Sequence, residues 1–170
     1  MVTDLIEIRL LAAAKEAENL RFRRYLHDHH SAGRLFRSAA VEVEKQIDCT
    51  SCANCCRETR VHISPAEIEA IARQLAVPPA QVIAQYTEPD GEEGGRMLRQ
   101  TGNECVFLSG NVCTIYPARP GACRDFPYVT CTACALGSRM SSIFKRARFC
   151  PIVYNTIENC KKLVGFPADG

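Results

Sequence analysis

Cysteine is the residue type through which this chain could do chemistry, because four cysteines fall within the eight residues 49–56. Their order is Cys49-Thr-Ser-Cys52-Ala-Asn-Cys55-Cys56. A C-x-x-C turn lets two sulfur atoms converge on one ion or cluster. Cysteine often serves as an inert buried residue, but the neighbours here are Thr, Ser, Asn and Arg rather than core residues. The block therefore predicts thiolate ligands of a metal.

Two kinds of metal centre fit this block. One is an iron-sulfur cluster, because C-x-x-C-x-x-C with a distant Cys150-Pro151 resembles the [4Fe–4S] ligand pattern of bacterial ferredoxins. In a ferredoxin the Cys-Pro follows closely, whereas here most of the domain intervenes, so the fold would have to bring Cys150 back. The other is zinc, whose four-cysteine sites use the same C-x-x-C pairs. The spacing leaves both open, with the [4Fe–4S] cluster as the first expectation and zinc as the alternative.

Composition and charge limit the class of protein in which such a site could occur. A hydrophobic fraction of 46% in 170 residues is enough for a folded core. The formal charge is only +2, and the short basic run at residues 145–148 has no interleaved aromatic residue, which argues against nucleic-acid binding. Asp4, Glu7, Arg9 and Lys15 interrupt the N-terminal apolar residues, which predicts neither a membrane span nor a signal peptide. We expect a cytoplasmic protein, in which thiols stay reduced and available to metal.

The elements that must position the cysteines begin with a cysteine-free segment, residues 1–47. Apolar residues recur there at helical spacing in two sets, which are Ile6, Leu10, Ala13, Ala17 and Leu20, and then Phe36, Ala40, Val43 and Ile47. They predict an N-terminal helical hairpin of two amphipathic helices, a candidate surface for self-association or for a protein partner. We expect residues 48–170, with all 11 cysteines, to form a separate cysteine-cluster domain.

Local signals predict the elements of this second domain. Ser64-Pro65-Ala66-Glu67 has the residues of a capping box and predicts the start of a helix. A second, shorter helix is predicted after Pro79. Residues 87–95 contain three glycines and a proline, which predict a mobile polar loop.

The cysteines after this loop are expected on a β-hairpin, in loops and on a last helix. Residues 105–108 and 112–116 predict two strands joined by Ser109-Gly110-Asn111, a hairpin that bears two cysteines. Pro151 is expected to begin the last helix, with Cys160 on its buried face. The predicted fold class is α+β, mostly helical, with a small antiparallel hairpin and a loop-rich core held by metal.

The cysteine pattern as a whole resembles the YkgJ-like cysteine-cluster proteins, which are described as zinc- or iron-chelating domains with a CxxCxxCC signature. Besides the block at residues 49–56, the likeness includes Cys105, Cys150-Pro151 and the stretch Cys113-Thr-Ile-Tyr-Pro-Ala-Arg-Pro-Gly-Ala-Cys123-Arg-Asp-Phe-Pro127. It covers about residues 48–152. The resemblance implies eight thiolate ligands, which are Cys49, Cys52, Cys55, Cys56, Cys105, Cys113, Cys123 and Cys150. Eight thiols suit two four-thiolate sites or one polynuclear cluster.

Cys131-Thr-Ala-Cys134 departs from this pattern and leaves the grouping of the cysteines open. We expect Arg119 and Arg124 to offset the charge of the centre through hydrogen bonds to sulfur, since such partners usually accompany metal sites. For Arg57 this role and an ordinary surface ion pair are equally open.

Several classes of function fit a protein of this kind. The centre could be an iron-sulfur cluster of a redox or cluster-dependent enzyme; alternatively, zinc or a cluster staples a non-catalytic module for binding or metal handling. No Ser-His-Asp arrangement or pair of catalytic carboxylates is identifiable, so the catalytic residues and enzyme status stay open. The flagellin lysine methylase resembles this chain in its cysteine block, which implies S-adenosylmethionine-dependent methyl transfer as a further alternative. The sequence has no glycine-rich nucleotide-binding fingerprint to support it.

Overall fold

The computed structural model describes residues 1–91, 94–130 and 136–167. The chain divides into two compact units. We call Met1–Asp48 with Pro127–Gly170 the helical unit, and Cys49–Phe126 the cysteine unit. That residues 1–47 form a domain of their own stays a prediction. Over the described ranges, no helix is both long enough and apolar enough to cross a bilayer.

Helices account for most of the regular structure, and short antiparallel strands account for the rest, so the predicted α+β class is confirmed. The described helices are α1 (Leu5–Ala14), α2 (Glu16–Asp28), α3 (His30–Glu44), α4 (Cys49–Cys52), α5 (Cys55–Glu58), α6 (Pro65–Leu75), α7 (Pro79–Tyr86), α8 (Gly121–Arg124), α9 (Leu136–Lys145) and α10 (Pro151–Leu163), with 3₁₀ turns at Tyr116–Ala118 and Arg146–Arg148. The described strands are β1 (His62–Ile63), β2 (Thr87–Pro89), β3 (Arg96–Leu98), β4 (Gln100–Thr101), β5 (Glu104–Cys105), β6 (Leu108–Ser109) and β7 (Val112–Cys113).

The core of the helical unit is aromatic. Phe22 on α2 and Phe36 on α3 are fully buried. The ring centroid of Phe22 lies 4.9 Å from that of Phe166 and 6.2 Å from that of Phe144. Ring pairs at this separation contribute favourably beyond the apolar area they bury. The contacts join residues far apart in sequence, so α2 is held mainly by tertiary packing.

The predicted apolar stripe of the first helix is wrong. Ile6 is 74% exposed, Leu10 68% and Leu20 44%. The residues that are buried on α1 and α2 include Ile8, Ala12, Phe22 and Leu26. Apolar residues occupy several faces of α1, so periodicity alone did not single out one face, and the break at Lys15 resets the register before α2.

The N-terminal segment also forms three helices rather than the predicted two. The second predicted stripe is confirmed at Phe36, Ala40 and Val43, which are fully buried on α3. Ile47 lies beyond the end of that helix and is half-buried. A helix with one unambiguous apolar face was therefore predictable from spacing.

Helix α10 carries the buried Cys160 that the sequence predicts and an ion-pair network beside it. The Lys161 ammonium is buried, 2.6 Å from a carboxylate oxygen of Glu18 and 2.8 Å from one of Glu158. Glu158 also accepts a hydrogen bond from Lys15 on the N-terminal side of the unit. Burial favours the neutral form of Glu158, but the hydrogen bonds from Lys15 and Lys161 outweigh burial and lower its pKa.

Glu158→Gln is expected to lower the free energy of unfolding by about 2 kcal/mol at pH 7, because it removes the charge between two lysines. A carboxyl with a lowered folded pKa stabilises above its unfolded pKa, about 4.3, and this stabilisation is lost as pH falls through the folded pKa. Urea unfolding should therefore show that the difference in the free energy of unfolding between wild type and variant shrinks as the pH falls toward about 3. Glu42→Gln is the control, since the Glu42–Lys45 pair is exposed.

The cysteine unit has an apolar cluster formed by α6, α7 and the small strands. Helix α6 begins at the predicted capping box: the Glu67 N–H donates to Ser64 Oγ at 3.3 Å, and the Ser64 N–H donates to Glu67 Oε2 at 2.8 Å. The predicted helix after Pro79 is confirmed as α7. The buried members of the cluster are Ile63, Ile68, Ile71, Ala72, Val82, Leu98, Phe107 and Ile115.

The prediction of a loop over residues 87–95 is wrong at its start. Thr87–Pro89 is strand β2, which pairs with β3 in a three-stranded sheet of order β1-β3-β2. Thr87 is 1% exposed, its hydroxyl donates to the Ile83 carbonyl at 2.8 Å, and Arg96 Nε donates to that hydroxyl at 2.6 Å. Threonine is a common strand residue, and the hydroxyl of this buried threonine both donates and accepts a hydrogen bond. The strand depends on pairing with β3, which the local sequence does not show. Glu92 and Glu93 lie outside the described residues.

Candidate metal centre

Two consecutive β-hairpins carry one predicted ligand each, where the sequence predicted a single hairpin with both. In the first, β4 pairs with β5 and Gln100 lies opposite Cys105. In the second, β6 pairs with β7 and Leu108 lies opposite Cys113. The predicted strand at residues 112–116 is thus confirmed at its start, whereas Cys105 belongs to the preceding hairpin.

The two hairpins have the same type of turn. Gly102 has φ 64° and Gly110 has φ 60°, and each glycine is followed by asparagine. A positive φ at the first central residue is what a type II′ hairpin turn requires, and glycine adopts it without steric cost. The sequences Thr101-Gly-Asn-Glu-Cys105 and Ser109-Gly-Asn-Val-Cys113 are therefore a short tandem repeat. This signal was available in the sequence and would have revealed both hairpins.

Each hairpin presents its sulfur to a backbone donor. Cys105 accepts a hydrogen bond from the N–H of Phe107, and Cys113 accepts one from the N–H of Ile115. An N–H donor aimed at sulfur favours the thiolate, the form that binds metal. Burial outweighs these donors and raises the pKa of both thiols. Without a cation, the two sulfurs are held as neutral thiols in positions suited to thiolates.

Cys56 and Cys123 lie close to these hairpin cysteines. The four thiols Cys56, Cys105, Cys113 and Cys123 interact electrostatically in every pairwise combination. We call these four residues the thiol cluster. Burial, followed by repulsion from the other three members, raises the pKa of Cys123 to about 12. A hydrogen bond from the Cys55 thiol, helped by Arg57 and Arg119, lowers the pKa of Cys56 to about 7.

The thiol cluster has the donor chemistry of a metal site, although its side chains are not placed as a coordination sphere. Among the described residues, no three Cys, His, Asp or Glu side chains converge closely enough to hold a metal ion as placed. The nine described cysteines are thiols and not disulfides. Four mutually repelling thiolates are stable together only with a neutralising cation, and thiolate sulfur is a ligand of both zinc and iron. The residues therefore fit a thiophilic metal, and binding it would draw the sulfurs closer.

The CxxCxxCC block forms two single-turn helices and contributes one member, Cys56, to the thiol cluster. Cys49–Cys52 forms α4 and Cys55–Glu58 forms α5, with Ala53 at φ 49° between them. Cys49 is exposed, and Cys52, Cys55 and Cys56 are half-buried. Of these four cysteines, Cys56 belongs to the thiol cluster, and Cys55 supports it through the hydrogen bond between their side chains.

The two predicted arginines occupy different positions. The Arg119 guanidinium lies 3.5 Å from the centre of the Tyr116 ring. Its charge helps to lower the pKa of Cys56 and partly opposes the rise that burial causes in the pKa of Cys113 and Cys123. Arg124 donates a hydrogen bond to the Arg119 carbonyl. Arg119 is therefore near enough to offset the charge of the thiol cluster. Arg124 stabilises the backbone at Arg119 through its hydrogen bond to the Arg119 carbonyl. That either contacts a bound cofactor stays a prediction.

The two remaining described cysteines, Cys150 and Cys160, belong to the helical unit. Cys150 belongs to the helical unit, where it is buried immediately before α10 and its charge interacts with that of Arg146. Cys160 is fully buried on α10, and burial raises its pKa to about 11, so it has the properties of an inert core residue. Cys131 and Cys134 lie outside the described residues.

Glu67 connects the capped helix to the segment that bears Cys123. Its Oε2 closes the capping box with Ser64, while its Oε1 accepts a hydrogen bond from the Gly121 N–H at 2.7 Å. Gly121 begins α8, which carries Cys123. Burial would raise the pKa of this carboxyl, but the backbone donors outweigh burial and lower it. Glu67 therefore links α6 to α8, whereas its sequence pattern identified it only as a helix cap.

Glu67→Ala is expected to lower the free energy of unfolding by about 2 kcal/mol, because it removes a helix cap and leaves the Gly121 N–H without its acceptor. Chemical unfolding of wild type and variant measures this loss. Glu69→Ala is the control, because Glu69 is exposed on the same helix. Equal stabilities of the Glu67 and Glu69 variants would contradict the linking role of Glu67.

Comparison with known proteins gives one match. Residues 48–151, more than half of the chain, match the family model described as "CxxCxxCC: putative zinc- or iron-chelating domain". The matched stretch contains every member of the thiol cluster together with Cys49, Cys52, Cys55 and Cys150. Neither the curated proteins nor the solved structures gave a match.

Proposed function

The chain belongs to the CxxCxxCC family of zinc- or iron-chelating domains, and we propose that it chelates a metal centre through the thiol cluster, Cys56, Cys105, Cys113 and Cys123. The observation that carries the proposal is the mutual electrostatic interaction of these four thiols, two of which lie on tandem hairpins with backbone donors to sulfur. Four thiolates are the donor set of a structural zinc ion and equally of one [4Fe–4S] cluster.

The centre stabilises the cysteine unit in this proposal. The strands of both hairpins are two residues long, and hairpins of that length are not stable by themselves in water. Bound metal would link the hairpins to α5 and α8, and its binding free energy would become folding free energy. When bound, the metal supplies a positive charge that keeps the four sulfurs deprotonated together.

The identity of the metal decides between the two expected functions. A [4Fe–4S] cluster would favour a redox or cluster-dependent enzyme, with Arg119 offsetting the charge of the cluster. Zinc would favour a non-catalytic module for binding or metal handling. The short strands support a stabilising role for either metal.

Cys49, Cys52, Cys55 and Cys150 complete the eight ligands that the family resemblance implies. The grouping of these four thiols into sites stays a prediction of that resemblance. We also propose a reducing compartment such as the cytoplasm, in which thiols persist without forming disulfides.

Differential alkylation of the full-length protein tests the ligand assignment. Samples loaded with zinc, or with iron and sulfide, are alkylated under native conditions beside a metal-free sample, and each cysteine is quantified by mass spectrometry. Metal should protect Cys56, Cys105, Cys113 and Cys123, whereas the buried Cys160 should react slowly in every sample. Metal-dependent protection confined to Cys49 and Cys52 would overturn the assignment.

A further inference from the structure

The Arg57 side chain makes hydrogen bonds to three separate stretches of the cysteine unit. Its Nε donates to Glu104 Oε1 at 2.7 Å, beside Cys105 on the first hairpin. Its Nη2 donates to the Gly110 carbonyl at 2.8 Å and to Asn111 Oδ1 at 3.1 Å, both in the turn of the second hairpin. Its Nη1 donates to the Cys52 carbonyl at 3.4 Å.

Asn111 extends this arrangement to the other side of the block. Its side-chain amide donates to the Ser51 carbonyl on α4 at 2.8 Å. The turn that precedes Cys113 is therefore bound to the CxxCxxCC block both directly, through Asn111, and through Arg57. Arg57 follows Cys56 directly, its partner Glu104 directly precedes Cys105, and its partner Asn111 lies two residues before Cys113. Three of the four members of the thiol cluster are therefore within two residues of groups joined by this one guanidinium.

These contacts go beyond both roles that the sequence left open for Arg57. A surface ion pair would involve Glu104 alone and would contribute little. Here the planar guanidinium uses its donors in several directions at once, and its side chain is 30% exposed. A lysine ammonium cannot reproduce this fork, because it is a compact charge without fixed donor directions.

From these contacts we infer that Arg57 is a positioning residue of the thiol cluster: it holds the segments of Cys56, Cys105 and Cys113 together, so that metal meets sulfurs already gathered. The inference rests on the proposed function, since it concerns the same four thiols. Preorganised ligands bind metal more tightly because less chain ordering is left to accompany binding, and residues around a metal site commonly change affinity ~10–100-fold.

Metal affinity of the full-length protein tests this inference, with zinc measured by competition against a chromophoric chelator. Arg57→Ala should weaken zinc binding ~10–100-fold, and Arg57→Lys should restore little of it. Glu104→Gln keeps an acceptor for Nε. It should therefore weaken zinc binding only about a few-fold, which is the size of effect expected from one hydrogen bond. Arg60→Ala is the matched control, because Arg60 makes a more exposed ion pair with Glu88 at 3.8 Å.

Two further readouts separate positioning from general destabilisation. At saturating Co²⁺, Arg57→Ala should show the same thiolate-to-metal absorption as wild type, because its ligands are intact. The Arg57→Ala/Glu104→Ala double variant should bind zinc no more weakly than Arg57→Ala alone, because both changes disrupt one contact. The inference is overturned if Arg57→Ala and Arg60→Ala bind zinc equally well, or if Arg57→Lys matches wild type. Wild-type protein without thiolate-to-metal absorption would instead contradict the proposed function.

Discussion

Serine in place of Cys113 is expected to abolish tight metal binding and to destabilise the cysteine unit at the same time. Cys113 interacts electrostatically with every other member of the thiol cluster and lies on a hairpin of two-residue strands. Because metal binding and folding share one free energy, losing a ligand should affect both measurements. Zinc affinity should fall by more than the ~100-fold expected for residues around the ligands. Chelator competition and thermal unfolding measure the two losses.

Val112→Thr is the matched control for Cys113→Ser. Val112 precedes Cys113 on the same short strand, but its side chain is 61% exposed. The control should bind zinc as wild type does, since threonine keeps the β-branched shape that suits a strand. Tight zinc binding by Cys113→Ser, with a stability equal to that of Val112→Thr, would show that Cys113 is not a ligand.

Phe22→Ala is expected to lower the free energy of unfolding by about 3–5 kcal/mol, the usual cost of truncating a fully buried aromatic side chain. The Phe22 ring is fully buried in the helical unit and packs against the rings of Phe144 and Phe166 from distant parts of the chain. The cavity left by alanine cannot close without moving those rings. Urea unfolding followed by circular dichroism measures the change.

Leu20→Ala is the control for Phe22→Ala because it truncates an apolar residue of the same helix whose side chain is exposed. Its cost should stay within about 0.5–1 kcal/mol. Leu20 belonged to the stripe predicted from periodicity, whereas Phe22 did not. Equal losses in the two variants would therefore contradict the packing of α2 described above.

The elements that could be predicted from sequence are those with local causes. The capping box at Ser64 and Glu67 defines the start of α6 without any tertiary contact. The buried face of α3 was predictable because its apolar residues share one face. The buried face of α1 was not predictable, because apolar residues lie on several faces of that helix. The elements that pack against α1 include the 3₁₀ turn Arg146–Arg148 and α10, which are distant in sequence.

In the candidate site, residue types were predictable from sequence, whereas their spatial arrangement was not. Spacing and the family resemblance predicted cysteine ligands, but the grouping of the cysteines depends on which hairpin approaches which helix. Cys56 lies in the thiol cluster with residues about fifty or more positions away, while the exposed Cys49 was indistinguishable from it by spacing alone. Arg57 was equally ambiguous, because its partners Glu104 and Asn111 are brought near only by the fold.

The most direct test of the central claim is the metal and acid-labile sulfide content of full-length protein purified without oxygen or chelators. A four-thiolate centre predicts either about one zinc ion per chain without sulfide, or about four iron atoms with about four sulfides. Protein that retains neither metal, and that takes up neither zinc nor iron with sulfide on reconstitution, would contradict the assignment of the thiol cluster as a metal centre.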